Sequence, residues 1–259
     1  CKALTELDLT LKAERCHPSL TRYLLQQLPQ LIALKLLAEA DDDEKKARPG
    51  TELKTAAEVF CTELVELELC GLAPPSLAGL TAPRLVRLHI YRLPSDAVVD
   101  VRAVLEAMPA LESLDVERAT ARCDAPRSLV PLRSLTFKYV RIDEDSLLAL
   151  LRACPILQQL CLEDATGAGP TPRLLKLLPE MPFAEKLEKL AVGHAADNTR
   201  DDRCRVAREV IPLLPALTSL RFSNEADLDS LKNWMKSEPR VRDRAISLDA
   251  PNPLFSLIA

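Results

Sequence analysis

The chain has 259 residues, with 34 basic and 38 acidic side chains and a formal net charge of −4. That balance points to neither a nucleic-acid nor a membrane surface. No run of about 18 apolar residues occurs, so a membrane-spanning helix is not expected. Length alone would allow two domains, but a repeated phrase overrides that prior.

The phrase is L-x-x-L-x-[L/V/I/F]. It begins at Leu4, Leu31, Leu64, Leu85, Leu111, Leu132, Leu157, Leu187 and Leu217, with a worn copy in DRAISL that keeps Ile246 and Leu248. Its spacing ranges from 21 residues (Leu64 to Leu85) to 33 (Leu31 to Leu64). A period in this range marks one supersecondary unit repeated, each copy burying its apolar face against the next. The last two apolar positions of each phrase stand two apart, which is strand period. Leu7 and Leu9, Leu34 and Leu36, Leu67 and Leu69 therefore point inward, and the residues between and beside them point outward. Parallel strands require long crossover connections.

In chain order, helices are expected over residues 19–28, 51–61, 95–108, 143–154, 172–178, 203–214 and 227–236. The 95–108 segment has Ser95 as a candidate N-cap and apolar residues at Val98, Val101, Val104, Leu105 and Met108. The 143–154 segment, DEDSLLALLRAC, is acidic at its start, as the helix dipole prefers. Pro29, Pro109, Pro155 and Pro215 each stand just ahead of a phrase, where proline stops a helix and sends the chain on extended. Two connections, GLAPPSLAGLTAPR (71–84) and RATARCDAPRSLVP (118–131), are too short and Pro-rich for a full helix. They are expected to run extended or as one turn.

The junction [L/M/C]-P-x-L-x-x-L-x-[L/V], its A-P-R-L variant at Ala82, and the alternation of helical with short extended units resemble the repeat region of F-box leucine-rich proteins, of the ribonuclease-inhibitor-like class. The resemblance covers nearly the whole chain. It implies an α/β fold: a single leucine-rich-repeat domain over 1–259. That domain would be a horseshoe with one parallel sheet of about ten strands, and helices and extended segments on its convex side. Two features depart from the pattern. The F-box with its LP-x-E signature is absent. The usual Asn three residues after the last apolar position is replaced by Lys12, Glu39, Leu72, Leu93, Ala119, Val140, Ala165, Ala195, Glu225 and Pro251, which argues against the regular extracellular receptor type. The first strand begins almost at Cys1, so the chain is expected to be a fragment that lacks an N-terminal F-box or cap.

The eight cysteines (Cys1, Cys16, Cys61, Cys70, Cys123, Cys154, Cys161 and Cys204) form no C-x-x-C and no flanking cluster. Reduced thiols and a cytoplasmic or nuclear setting are expected. His17, His89 and His194 lack metal-ligand spacing. No G-x-S-x-G or P-loop occurs, and Gly167–Pro170 reads as a turn. The charge runs at 41–46 and 197–203 read as solvated insertions. No cofactor, metal or catalytic residue is assigned.

Function is therefore sought on the outward face of the sheet. Arg87, His89 and Tyr91 share one strand, between Glu66 and Glu68 on one side and Asp115 and Glu117 on the other, with Lys138 beyond. Tyr and Arg are frequent interface anchors, so these residues form the candidate protein-binding site. The resemblance implies a non-enzymatic substrate-binding arm of an F-box-type ubiquitin-ligase adaptor. A protein substrate would sit on the concave sheet, and a cullin-RING adaptor would be reached through an N-terminal segment. The alternatives are a general leucine-rich scaffold of a defence or signalling type, and a GTPase-activating or ligase-effector protein using Arg87 or Cys161.

Overall fold

The structure, a computed structural model, describes residues 4–12, 20–39, 59–71, 77, 79–93, 98–163, 172–193, 200–222 and 225–249. The strands are β1 (Glu6–Lys12), β2 (Ala33–Glu39), β3 (Val59–Phe60), β4 (Glu66–Cys70), β5 (Leu80–Thr81), β6 (Arg87–Tyr91), β7 (Val98–Asp100), β8 (Ser113–Arg122), β9 (Ser134–Arg141), β10 (Gln159–Glu163), β11 (Lys189–Val192), β12 (Ser219–Phe222) and β13 (Ser247–Asp249). The helices are α1 (Leu20–Gln27), α2 (Val101–Ala107), α3 (Glu144–Arg152), α4 (Pro172–Leu177), α5 (Arg200–Val210) and α6 (Glu225–Ser237).

Ten strands, one at each phrase, form a single parallel sheet in the order β1-β2-β4-β6-β8-β9-β10-β11-β12-β13. The register aligns equivalent phrase positions: Leu7 pairs with Leu34, Leu67 with Leu88, Leu114 with Leu135, and Leu160 with Leu190. Side chains alternate as strand period demands. Leu34, Leu36, Leu67, Leu69, Leu88, Ile90, Leu114 and Val116 are buried, whereas Lys35, Glu68, His89 and Asp115 between them are half-exposed. The leucine rows join Leu147, Leu148, Leu150 and Leu151 of α3, and Val206, Val210 and Leu231 of α5 and α6, in one core. The crossovers thus cover the leucine face.

A backbone ladder locks each unit to the next. The carbonyl just ahead of a strand accepts two N–H groups from the following unit. Thr5 O takes Ile32 N and Ala33 N, Val65 O takes Val86 N and Arg87 N, and Gln158 O takes Glu188 N and Lys189 N. The same pattern recurs at Ile32, Val86, Glu112, Arg133 and Glu188. The proline junctions have a shared cause too. Leu31 N donates to Leu28 O, Leu85 N to Ala82 O, Leu111 N to Met108 O, Leu157 N to Cys154 O and Leu217 N to Leu214 O. Each is a β-turn with proline at its second position, where a fixed φ is already correct.

Helices α1, α3, α5 and α6 fall close to their expected places. The α3 helix is capped by Asp143, whose Oδ1 accepts from Ser146 N at 2.8 Å. Two expectations need correction. The segment 51–61 ends in β3, not in a helix. Val59 N donates to Gly79 O and Cys61 N to Thr81 O, each at 2.9 Å, and β3 pairs with β5 in a separate two-stranded sheet. Residues 51–58 lie outside the described set. The 95–108 helix begins only at Val101, and its N-cap is Asp100, whose carboxylate accepts from Ala103 N at 3.0 Å. Ser95 lies outside the described residues. The cause is a neighbour: β8 runs ten residues, well past its phrase. Its far half, Thr120–Arg122, pairs with the β-branched Val98 and Val99 and with Asp100. The two short connections contain no helix among their described residues.

At the far end, Arg244 takes the place of an apolar plug. Its Nη1 donates to Ile211 O at 3.1 Å, and its Nη2 to Leu214 O at 2.5 Å and Leu217 O at 3.0 Å. These carbonyls close the α5 crossover, and the fork ties the last unit to its predecessor. Among the described residues, no helix is long and apolar enough to cross a membrane.

Leu114 is fully buried at the centre of the sheet and its neighbour Asp115 faces out. Leu114→Asp should lose more than about 4 kcal/mol and fail to fold, through an unpaired buried charge. Asp115→Ala should give a cooperative denaturant melt close to the parent. Equal damage from both would place the register one residue off.

Cys61, Cys70, Cys123 and Cys154 are free and buried. Burial pushes the thiols of Cys61 and Cys123 up to about 11 and that of Cys154 up to about 12. Thiolate is the reactive form. Alkylation of these three at neutral pH, read by peptide mass spectrometry, should therefore await unfolding and then proceed without reductant. Prompt labelling of the native protein would contradict this packing.

Candidate protein-binding face

The polar face is built by strand alternation, and the register decides which side chains meet across strands. All eight candidate residues are brought together on β4, β6, β8 and β9. Arg87 Nη2 donates to Glu66 Oε2 at 2.5 Å, across the pair Glu66↔Arg87. The Tyr91 hydroxyl donates to Glu68 Oε1 at 2.7 Å, and Lys35 Nζ from β2 reaches the same oxygen at 2.9 Å. His89 Nε2 lies 3.4 Å from Asp115 Oδ2, and the His89 and Tyr91 rings are 4.6 Å apart. Glu117 and Lys138 are register partners. Further along, Arg221 Nη1 reaches Glu163 Oε1 at 3.4 Å.

These pairs are largely open to solvent, whose screening leaves each with little to add to the fold. Their effect is on rotamers. Arg87 and Tyr91 are held by carboxylates before any partner arrives, which lowers the entropy lost on binding. The hydrogen bond from Arg87 holds the Glu66 carboxyl below its ordinary value. Burial opposes ionisation of Glu68, yet Lys35 and Tyr91 together still lower its pKa. Burial and the bond to Glu68 keep the Tyr91 hydroxyl protonated well above its usual range. Asp115 is different. Its Oδ1 is buried with no hydrogen-bond partner. Burial raises its pKa, against the opposing pull of His89 and Lys138.

One outward position is corrected. Cys70 was expected on the exposed face beside Tyr91, but it is 2% exposed. It is small, lies beside its register partner Tyr91, and precedes Gly71, whose φ of 69° is left-handed. Cys161 is half-buried on the face, and burial pushes its thiol up to about 12, so it is no ready nucleophile. Arg87, the other residue considered for catalysis, is bound to Glu66. Among the described residues no three His, Cys, Asp or Glu side chains group to hold a metal ion. At the β1 end, a cleft of about 390 Å³ is lined by Glu6, Asp8, Lys35, Glu66 and Glu68.

A row of left-handed residues was not expected from the sequence. Gly71, Arg92, Arg118 and Tyr139 have φ of 69°, 54°, 55° and 54°, in the left-handed region. Each stands at the same step, just after the outermost position of β4, β6, β8 or β9. In β8 and β9 the alternation slips there: Glu117 and Arg118 are both outward, and Ala119 is buried again; Lys138, Tyr139 and Val140 repeat this. Glu117 pairs with Lys138 and Ala119 with Val140, while Arg118 and Tyr139 are skipped. One residue is skipped on each strand, so the register is kept across a shared left-handed kink. It also accounts for the missing Asn: the slip turns Leu93, Ala119 and Val140 inward, where they are buried. Gly71 is required twice over, since an added Cβ would meet Ala38 O at 2.9 Å. The other three are L-residues with a backbone cost of roughly 1–2 kcal/mol each. Arg118 stands over the Tyr139 ring at 5.6 Å. The signal was present in the sequence as two successive outward residues before the next apolar one.

No protein-family model matches the chain, and no curated protein matches its sequence.

Asp115→Asn keeps the shape and removes the charge. Because burial lifts Asp115 above its ordinary 3.8, its ionisation costs the native state stability as pH rises through the raised value, and nothing at lower pH. The stability gap between variant and parent, from melts at a series of pH values, should be near zero in acid and grow in the variant's favour toward neutrality. A gap growing the other way would show that the His89 ion pair outweighs burial.

Proposed function

We propose that the chain is a non-enzymatic protein-recognition solenoid: an irregular leucine-rich repeat of the ribonuclease-inhibitor-like class, whose polar sheet face receives a protein partner. The observation that carries this is the uncovered, pre-ordered face. The strands stack phrase on phrase in one register, helices α3, α5 and α6 pack on the leucine side, and the opposite side carries Glu66, Glu68, Arg87, His89, Tyr91, Asp115, Glu117 and Lys138, several already clamped to one another. A broad rigid surface with fixed polar groups and an aromatic anchor suits complementarity with another protein. The proline β-turn ahead of five phrases supports the narrower reading, that of the substrate-binding arm of an F-box-type ubiquitin-ligase adaptor. Under that reading the setting is cytoplasmic or nuclear.

Photo-crosslinking tests it. A photoreactive residue at Ser113 or Thr136, on the sheet face, is compared with one at Arg152, exposed on α3. In its own cells the full-length polypeptide should crosslink a protein partner from the sheet positions and not from Arg152. A cullin co-captured with the full-length polypeptide supports the ligase arm; a crosslinked partner without one favours the general scaffold. Crosslinks confined to Arg152 would overturn the recognition face.

A further inference from the structure

We propose that the row of left-handed residues at the end of β6 and within β8 and β9 is the docking edge for an acidic segment of the protein partner. This rests on the reading of the polar sheet face as a recognition surface, and adds which part of it binds and what chemistry it takes. Arg92, Arg118 and Tyr139 occupy the same level on adjacent strands, so their backbones follow one another at about 4.8 Å. All three are exposed. Glycine would make the same turn at lower backbone cost, as Gly71 does one strand earlier. At 92, 118 and 139 the chain keeps large side chains in a conformation that disfavours them. Strain of this kind, repeated in register on three adjacent strands, points to use of the side chains.

The chemistry is read from charge. Along this row Arg92, Arg118 and Lys138 face one carboxylate, Glu117, and Glu163 on β10 closes the row. The row on β6, β8 and β9 is therefore positive on a chain whose formal charge is −4. Arg92 and Lys138 form no ion pair or hydrogen bond among the described residues. Arg118 is steadied by the Tyr139 ring at 5.6 Å and by Glu117, whose Oε1 lies 3.8 Å from its Nε and would have to share the guanidinium with a partner carboxylate. Guanidinium forks match carboxylates in plane, and an aromatic ring beside them supplies contact area with few torsions to freeze. A segment crossing the strands would present successive carboxylates to successive units.

The test uses the full 259-residue chain and short synthetic peptides, one alternating Glu and Ser and one alternating Lys and Ser, titrated at low salt with amide chemical shifts as readout. The Glu peptide should move the amides around Arg92, Arg118 and Tyr139, and the Lys peptide should not. The double variant Arg92→Gly with Arg118→Gly should melt at or above the parent temperature, yet bind the Glu peptide at least about tenfold more weakly. A purely structural role for the side chains would instead lower the melting temperature. Should the glycine pair not fold, Arg92→Gln with Arg118→Gln gives the same binding comparison. Undiminished binding by either pair, or no shift at the row, overturns the proposal. If partner crosslinks from Ser113 or Thr136 are nonetheless found, only the acidic docking edge falls; if those also fail, the recognition face falls with it.

Discussion

The structure depends on one backbone constraint: at every junction but the last, the carbonyl ahead of the strand accepts two N–H groups from the unit that follows. This contact, repeated from Thr5 to Glu188, fixes the stagger between neighbours at zero. Zero stagger puts leucine over leucine and polar residue over polar residue, so the two faces of the sheet stay chemically separate over its length. The leucine face must then be covered, because a bare apolar sheet is costly in water. Connections as different as α3 and the extended 118–131 segment both do this. The other face needs no cover, since its side chains find water and one another. The apolar core and the polar side chains are in this way kept on opposite sides of the same strands.

The polar face is ordered by the same register. Glu66 meets Arg87 and Glu68 meets His89 because their phrases align. A carboxylate such as Glu68 is then served by Lys35 from the strand on one side and Tyr91 from the strand on the other. Such clamps add little to stability, but they restrict the rotamers of the side chains on this face. Asp115 is the exception. It spends stability on a half-buried charge with an unserved oxygen, which is the sort of local inconsistency expected where a surface is shaped for something other than folding.

Much of the fold was legible because two signals agreed. The phrase located ten strands and their facing, and proline ahead of five of them located the turn that starts each strand. The α3 helix, with Asp143 before an acidic first turn, was legible for the same reason: cap, charge and period coincide. What failed had no local signal. β7 forms because β8 overruns its phrase and offers a free edge to Val98 and Val99. β3 forms because β5 lies beside it. Both are tertiary effects written in a neighbouring unit. Arg244 was likewise unreadable, since its carbonyl partners come from the preceding crossover. For the candidate site, the phrase placed Arg87, His89 and Tyr91 correctly, but their partners could be named only once the register was known. The row of left-handed residues was legible only as two successive outward residues, since only one of its four members is glycine, and Cys70 was misplaced because the burial alternation of β4 stops at Leu69.

The central claim is that this chain meets its partner through the polar sheet face. Hydroxyl-radical footprinting of the partner complex tests it most directly, since aromatic side chains report on both faces of the molecule. The account predicts that His89, Tyr91 and Tyr139 become protected, while Tyr23 on α1 and Trp234 on α6 react as in the free protein. Protection of Tyr23 or Trp234 with His89, Tyr91 and Tyr139 unchanged would contradict it.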